Sequence, residues 1–421
     1  MSSGAAAQRD DVLVVGAGAI GVCIAWYLAR AGRKVTVVER GEVCSGCSAG
    51  NAGLISPSHS MPLAAPGVMG KGLRWLFDAS SPLYIKPRLN LELVRWLWRF
   101  RAACSRRRMR KSLPVLRDLN RAGKDLYDEL ADSEGLSFGY ERRGLTELFA
   151  TARGRDEGFA AAETLRQFGI EARPLDAAEA RVLEPGCLPE VIGGVHFPGD
   201  AHADPAEFVR RMARRASRRG ATIRTHTEVI ALPTSGRRIA AVQTTRGELR
   251  PRAVVLAAGA HTAGLARRVG LRLPVQPAKG YSITVSRPEA PPSAPLLLSE
   301  AKVAVTPLGG TVRFAGTLEL AGLDLSVNAR RVEAIRRAAR RYHACGEGGE
   351  VVEIWRGLRP CTPDGLPVIG PTARCTNLVI ATGHGMKGIC LAPITGKLVA
   401  AIVCGAEPPC DPAPFSPDRF R

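Results

Sequence analysis

Gly16-Ala17-Gly18-Ala19-Ile20-Gly21 sets three glycines at GxGxxG spacing between an apolar run, Val12 to Val15, and a helical pattern, Ala19 to Ala31. The first glycine permits a tight turn and the second lets a pyrophosphate approach the backbone. The third lets helix and strand pack closely, and the helix N-terminus then faces the phosphates. Glu39 ends the next strand pattern, Lys34 to Glu39, 18 residues after Gly21. A carboxylate there accepts from a ribose hydroxyl and disfavours a 2′-phosphate. Strand, helix and acid in this order make a βαβ dinucleotide-binding unit with a right-handed crossover.

The elements around this unit must come from a chain of 421 residues, enough for two or three domains' worth of core. With 45% hydrophobic and 23% charged residues, a wholly disordered or collagen-like chain is excluded. The formal charge is +20, but 50 of the 59 basic residues are Arg, a bias that fits genomic composition. A solvated basic surface is the plain reading; attraction to anionic lipid comes next and nucleic acid last. Arg210–Arg219 and Arg330–Arg341 repeat at helical spacing without interleaved aromatics, so no base-stacking platform is expected there. The eleven cysteines are scattered, which suits a reducing cytoplasm. Cys44 and Cys47 form a lone CxxC without the second pair a structural zinc site needs; a redox disulfide there competes with incidental small loop residues. Val12 to Ala29 is an uncharged run near membrane-spanning length, but its glycines divide it into a strand and a helix.

Further along, Gly41 to Ser60 is a long Gly/Ser/Cys-rich loop, of the kind that usually carries function. Leu93, Trp96, Leu97 and Phe100 form an apolar helical stripe among arginines, read as a core face or as a face for lipid or a partner. Asp204 is the expected N-cap of a helix that has Pro205 first and Gly220 as its stop. A meander follows and ends in AVVLAAGAHT, a buried strand entering a glycine turn. Residues 275–318 alternate like antiparallel strands, and Val327 to Tyr342 is a basic helix. LVIATGHGMKG then gives a strand and glycine turn, with GHGMKG opening a C-terminal helix.

Several segments together resemble the D-amino-acid oxidase superfamily of flavoproteins: VVERGEVCSGCSAGNAGLIS at 37–56, AAPGVMGKGLRWL at 65–76, VVLAAGAHT at 254–262, VQPAKGYSITV at 275–285, WRGLRPCTPDGLPVIG at 355–370 and GHGMKG at 383–388. The resemblance covers about residues 10–405, and within the superfamily it is greatest to the D-amino-acid dehydrogenases. It implies an α/β, two-domain fold: a Rossmann-like FAD-binding domain and an antiparallel-sheet substrate domain. Residues 1–60, 196–275 and 355–421 would form the first, and 61–195 with 276–354 the second. It implies noncovalent FAD held by Gly16, Gly18, Ala19, Ile20, Gly21, Glu39 and Arg40, with Ser48, Asn51, Ala52, Gly53 and Leu54 beside the flavin. Val229 would meet the adenine through its backbone, Gly259 would form the second glycine turn, and Gly383, Gly385, Met386, Lys387 and Gly388 would face the flavin N1–C2=O edge. The sarcosine oxidases attach flavin through a Cys, but their attachment point falls near Gly357, and Cys361 is not equivalent.

For substrate, the resemblance implies that Arg359 clamps an amino-acid carboxylate bidentately. Tyr281 closes the substrate site or is a plain strand aromatic, and His59 faces the flavin or is a plain loop histidine. The α-hydrogen would leave as hydride for flavin N5 without metal and without an obligatory protein base, and the imino acid would hydrolyse in water. GHGMK resembles the sarcosine oxidases' GHGFK, not the usual D-amino-acid dehydrogenase pattern. A secondary amine such as D-proline or hydroxy-D-proline therefore stands beside primary D-amino acids, with a sarcosine- or glycine-oxidase-like activity as a relative of both. Arg313 is the nearest match to the place of an oxygen-activating Lys, so a dehydrogenase passing electrons to quinone is expected. Leu91 to Lys111 would touch the inner face of the cell membrane. Two other classes are a flavin enzyme of modified tRNA bases, whose usual methyltransferase domain finds no match here, and a non-catalytic flavin-binding partner protein.

Overall fold

The computed structural model describes residues 11–65, 83–88 and 90–420. The 65–76 segment, including Trp75, lies almost wholly outside the described residues.

Two sheets organise the chain. Val12–Val15, Val35–Val38, Thr222–Arg224, Ala253–Leu256 and Cys375–Thr382 lie parallel, and Val368–Thr372 adds an antiparallel edge beside Cys375–Thr382. Val12–Val15 is central and pairs with Val35–Val38 on one side and Ala253–Leu256 on the other. Val12–Val15, Val35–Val38 and Ala253–Leu256 are near-continuous apolar runs because they lie inside the sheet with helices over it. The helix Ala19–Arg30 packs between Pro205–Arg218 and Ala392–Cys404. Asp204 caps Pro205–Arg218 by accepting from the Ala206 and Glu207 amides, as its Asp-Pro start requires. The helix Arg106–Asp128 also reaches this core, and a Cβ on its Gly123 would stand 2.6 Å from the Cys390 carbonyl.

The second sheet has nine strands among the described residues and is mostly antiparallel. Its long members are Val351–Cys361, Gln276–Ser286 and Thr311–Leu320, followed by Val303–Leu308, Leu296–Leu298, Leu145–Phe149, Gly193–Phe197 and Arg173–Asp176. The expected domain borders at 196 and 355 fall inside Gly193–Phe197 and Val351–Cys361, both members of this sheet. The basic helix covers Ala329–Ala339, with Asn328 accepting from the Arg331 amide as its cap.

One expected element differs. GHGMKG does not open the C-terminal helix, which begins at Ala392. Gly383 and Gly385 have φ of 78° and 56°, so the chain leaves its strand through left-handed turns before any helix can form.

Candidate active site

The GxGxxG turn is built by close approach. Gly16 has φ of 110°, and a Cβ there would lie 2.7 Å from the Ala257 carbonyl oxygen; a Cβ on Gly21 would lie 1.8 Å from the Gly16 oxygen. Glu39 accepts from the Ala17 amide at 2.9 Å and the Gly41 amide at 3.0 Å, so its carboxylate ties the turn to the end of its own strand. Ser48 Oγ accepts from the Ala19 amide at 3.1 Å. Ser48 thus joins the flavin-side loop to the first helix.

A continuous cavity of about 2650 Å³ runs from this turn into the second sheet. One end is lined by Glu39, Arg40, Thr227, Glu228, Val229 and Gly259; Arg40 Nη2 lies 2.9 Å from His261 Nε2. The middle is lined by Gly16, Gly18, Ala19 and Ile20. Ser48, Asn51, Ala52 and Leu54 follow, facing Gly383, Gly385, Met386, Lys387 and Gly388. Gly21 and Gly53 do not line it. Their role is packing: a Cβ on Gly53 would lie 2.2 Å from the Ala203 oxygen.

Three distant segments are tied together here. Asn51 Nδ2 donates to the Met386 carbonyl at 3.2 Å, and the Gly385 amide donates to the Pro360 carbonyl at 2.9 Å. Arg313 Nη1 donates to the carbonyls of Ala49, at 2.7 Å, and Asn51, at 3.0 Å. Its Nε donates to Thr284 Oγ1, and Nη2 lies 3.5 Å from Glu353. Arg313 therefore clamps the loop from behind, and it is absent from the cavity lining.

Arg359 projects from the Val351–Cys361 strand across Gly280, where a Cβ would be 1.9 Å from Nη1; only glycine leaves the guanidinium room to lie there. Nη1 donates to the Thr317 carbonyl at 2.7 Å. No carboxylate lies within ion-pair distance of Arg359 among the described residues, and burial lowers its pKa. Thr317 has φ of 60°, unusual for a β-branched residue and of the kind held at functional sites. Lys387 Nζ is buried without a hydrogen-bond partner among the described residues, and burial pushes its pKa down to about 8. Two cations face one cavity with no anion among the described residues paired to either, an arrangement that suits anionic groups.

His59 lines the same cavity, held in neutral form by burial and by Lys387 and Lys302, with its pKa near 4. Tyr281 does not line it. Its side chain is buried on the other side of the sheet, where its hydroxyl meets the Ser326 carbonyl and the Asn328 amide. The plain reading of Tyr281 as a strand aromatic therefore describes its position. His384 lines the cavity, with its Nε2 bonded to Thr395 Oγ1 at 3.0 Å.

Trp355 lines the cavity without a sequence pattern that marks it for a role. Its ring occupies space that a Cβ on Gly50 or Gly357 would enter, at 2.0 Å and 1.9 Å. Gly357, two residues after Trp355, is the available local signal. Glu147, Ser58 and Asp200 carried no local pattern. Cys44 and Cys47 are free thiols, and burial raises the pKa of each.

The cradle fits FAD in the donor set and in the glycines a Cβ would fill. The model of the DAO family of FAD-dependent oxidoreductases matches residues 11–402. The chain belongs to this family. A D-amino acid dehydrogenase of Methylobacterium radiotolerans is 37% identical over 94% of this chain and 96% of its own length. One from Agrobacterium fabrum is 34% identical over 97% and 99%. Among solved structures, glycine oxidase from Geobacillus kaustophilus superposes with a TM-score of 0.76 at 29% identity, over 97% of this chain and 98% of its own. L-proline dehydrogenase from P. horikoshii superposes with 0.75 at 20% identity over 98% of each chain, which speaks to the fold alone. The α/β flavoenzyme fold expected from the sequence is therefore found, and this FAD-dependent oxidoreductase is an enzyme of the amino-acid-oxidising kind.

Proposed function

We propose that this flavoenzyme oxidatively deaminates D-amino acids, with Arg359 binding the substrate carboxylate. The Arg359 guanidinium at the cavity wall carries the reading: its fork matches a carboxylate, and none of the described residues supplies one. FAD, when bound, accepts the hydride leaving the substrate α-carbon. Arg359 fixes one end of the substrate. Lys387 supplies positive charge near the 383–388 turn, where Gly385 and Asn51 hold the backbone. Gly383, Gly385 and the main chain of Val229 offer polar backbone to the cofactor. Cys361 lies at the cavity, but burial lifts its thiol to about 11, which keeps it protonated and supports noncovalent flavin.

The similarity to D-amino acid dehydrogenases favours primary D-amino acids; the Lys387 motif favours a cyclic secondary amine such as D-proline as the second reading. Electrons would pass to quinone. On the helix Leu91–Ala103, Leu93, Trp96 and Phe100 face inward, whereas Trp98 is 73% exposed beside exposed Leu91 and Val94. Arg95, Arg99 and Arg101 flank them, and Arg106, Arg107, Arg108 and Arg110 follow, a composition suited to an anionic leaflet. No helix among the described residues is long and apolar enough to cross a membrane, and the contact proposed here is a peripheral one. The test is anaerobic flavin bleaching by D-amino acids, D-proline, hydroxyprolines, glycine and sarcosine, followed by reoxidation with air or a quinone analogue. Bleaching by D-amino acids and faster reoxidation by quinone are expected. Bleaching by none of them, or fast turnover in air with peroxide, would contradict the substrate or acceptor assignment respectively.

A further inference from the structure

Beside the cavity, and outside the roles assigned above, a buried carboxyl group, a hydroxyl and a cavity-lining imidazole form one hydrogen-bonded chain. Asp200 is 2% exposed. Its Oδ1 accepts from the Ser58 amide at 3.0 Å, and its Oδ2 is bonded to Ser58 Oγ. Ser58 Oγ in turn lies 3.1 Å from His59 Nδ1. The turn carrying these residues is rigidly held. The His59 amide donates to the Ser56 carbonyl, Ser60 Oγ donates to the Pro57 carbonyl, and Asn120 Nδ2 donates to Ser60 Oγ. The His59 ring packs edge-on to Phe197, and no hydrogen bond to its Nε2 is found among the described residues.

We infer that Asp200, acting through Ser58, sets the tautomer of His59 and thereby switches the ring nitrogen facing the cavity between acceptor and donor toward the substrate amine. The proton count requires two patterns. An ionised carboxylate only accepts, so Ser58 must give its single proton to Asp200; His59 Nδ1–H then donates to Ser58, leaving a lone pair on Nε2. A neutral Asp200 donates its own proton to Ser58 Oγ. Ser58 is then free to donate to Nδ1, and the proton of His59 moves to Nε2. The chain gains one proton in all, bound to the Asp200 carboxyl. Asp200 and Ser58 are positioning residues; His59 is the group that meets the ligand.

The surroundings place the switch within the working range. Burial raises Asp200 to about 7 against the opposing Ser58 bonds and the charge of Lys124 on the neighbouring helix; the buried Cys390 thiol also faces it. His59 is faced by Lys387 from the glycine turn and Lys302 ahead of the Val303–Leu308 strand, which with burial keep the ring uncharged. The ring therefore changes tautomer and not charge. A substrate ammonium can only donate, so it matches the acceptor form that exists above about pH 7.

The substrate half of this inference rests on the amino-acid-oxidising function proposed above; the tautomer half does not. The experiment records ring ¹⁵N shifts of His59 in the holoenzyme on either side of pH 7, assigned against His59→Gln. Asp200→Asn is the companion, because its amide oxygen can keep the Ser58 N–H bond while its NH₂ donates to Ser58 Oγ, fixing the low-pH pattern. Wild type should pass from Nε2–H below the transition to Nδ1–H above it, and Asp200→Asn should hold Nε2–H throughout. A wild-type tautomer that does not change with pH overturns the inference, whatever the fate of the variant. In parallel, amino-acid affinity of the wild type, read from flavin spectra, should fall about tenfold below the transition. The step near pH 7 should be missing in Asp200→Asn, and missing in both proteins for a simple carboxylate without an amine; any loss of affinity through about pH 8 belongs to Lys387 and is common to both. A tautomer switch with no amino-acid binding would overturn the substrate half and the functional reading behind it. A switch accompanied by amino-acid affinity without a step would overturn the substrate half alone.

Discussion

The cofactor end and the substrate end of the cavity are built on opposite principles. Around Gly16–Gly21 the chain removes side chains, so that backbone meets backbone within distances that no Cβ permits. Around Arg359, Lys387, His59 and Asp200 it places buried or half-buried titratable side chains, two of them cations without a counter-ion among the described residues. The first end can be complete before any ligand arrives. The second carries an electrostatic cost in the empty protein that a bound anion relieves. Binding energy at the substrate end should therefore respond to charge and pH, and at the cofactor end to volume.

The largest expected effect tests the volume side. Gly21→Ala places a methyl group 1.8 Å from the Gly16 oxygen, a backbone atom that cannot move alone, so the purified variant should carry little or no FAD by absorbance. Full flavin occupancy would break the comparison at that end. Asp200→Asn comes next. The Asp200 pKa is raised on folding from an ordinary 3.8 to about 7, so its stabilising contribution is complete below about 4 and lost as pH rises through about 7. The Asn variant, which has no such loss, should melt higher than wild type at pH 8. The gain should be roughly 1–4 kcal/mol, shrinking toward acid, as read by thermal unfolding at several pH values.

Lys387→Met should lower the flavin reduction potential, measured by dye-coupled titration, by the equivalent of a few kcal/mol at most, since the reduced cofactor loses a nearby positive charge. An unchanged potential would place Lys387 away from the ring. The smallest effect concerns Thr317. With φ of 60°, Thr317→Gly relieves backbone strain of about 1 kcal/mol, so denaturant unfolding should show a slight gain in stability. Weaker substrate binding should accompany it if Thr317 aims its carbonyl at Arg359.

The same contrast explains what the sequence made legible. Glycines at fixed spacing, strand runs and the Asp204-Pro205 cap act locally, so the βαβ unit, the cap and the alternating strands could be read directly. Glu39 was placed by its distance from Gly21. The substrate end depends on pairings far apart in the chain: Arg359 needs Gly280 and Thr317, and His59 needs Asp200. Tyr281 shows the limit of motif reasoning, because alternation along a strand does not say which face is the cavity. The C-terminal helix starts later than its sequence pattern suggests, because the positive φ of Gly383 and Gly385 is a conformational fact that composition leaves open. Arg313 matches the place of an oxygen-activating Lys in sequence, whereas its guanidinium is engaged with the carbonyls of Ala49 and Asn51.

The central claim is that the uncompensated guanidinium of Arg359 is the carboxylate receptor. The most direct measurement is the anaerobic rate of flavin reduction by a D-amino acid and by the amine that lacks its carboxylate, in wild type and in Arg359→Ala. Removing a desolvated ion-pair partner costs roughly 2–5 kcal/mol, so efficiency on the amino acid should fall by about 30-fold to several thousand-fold. The rate on the simple amine, slow in both proteins, should hardly change. An equal loss on both substrates would contradict the account and leave Arg359 as a structural brace to Thr317.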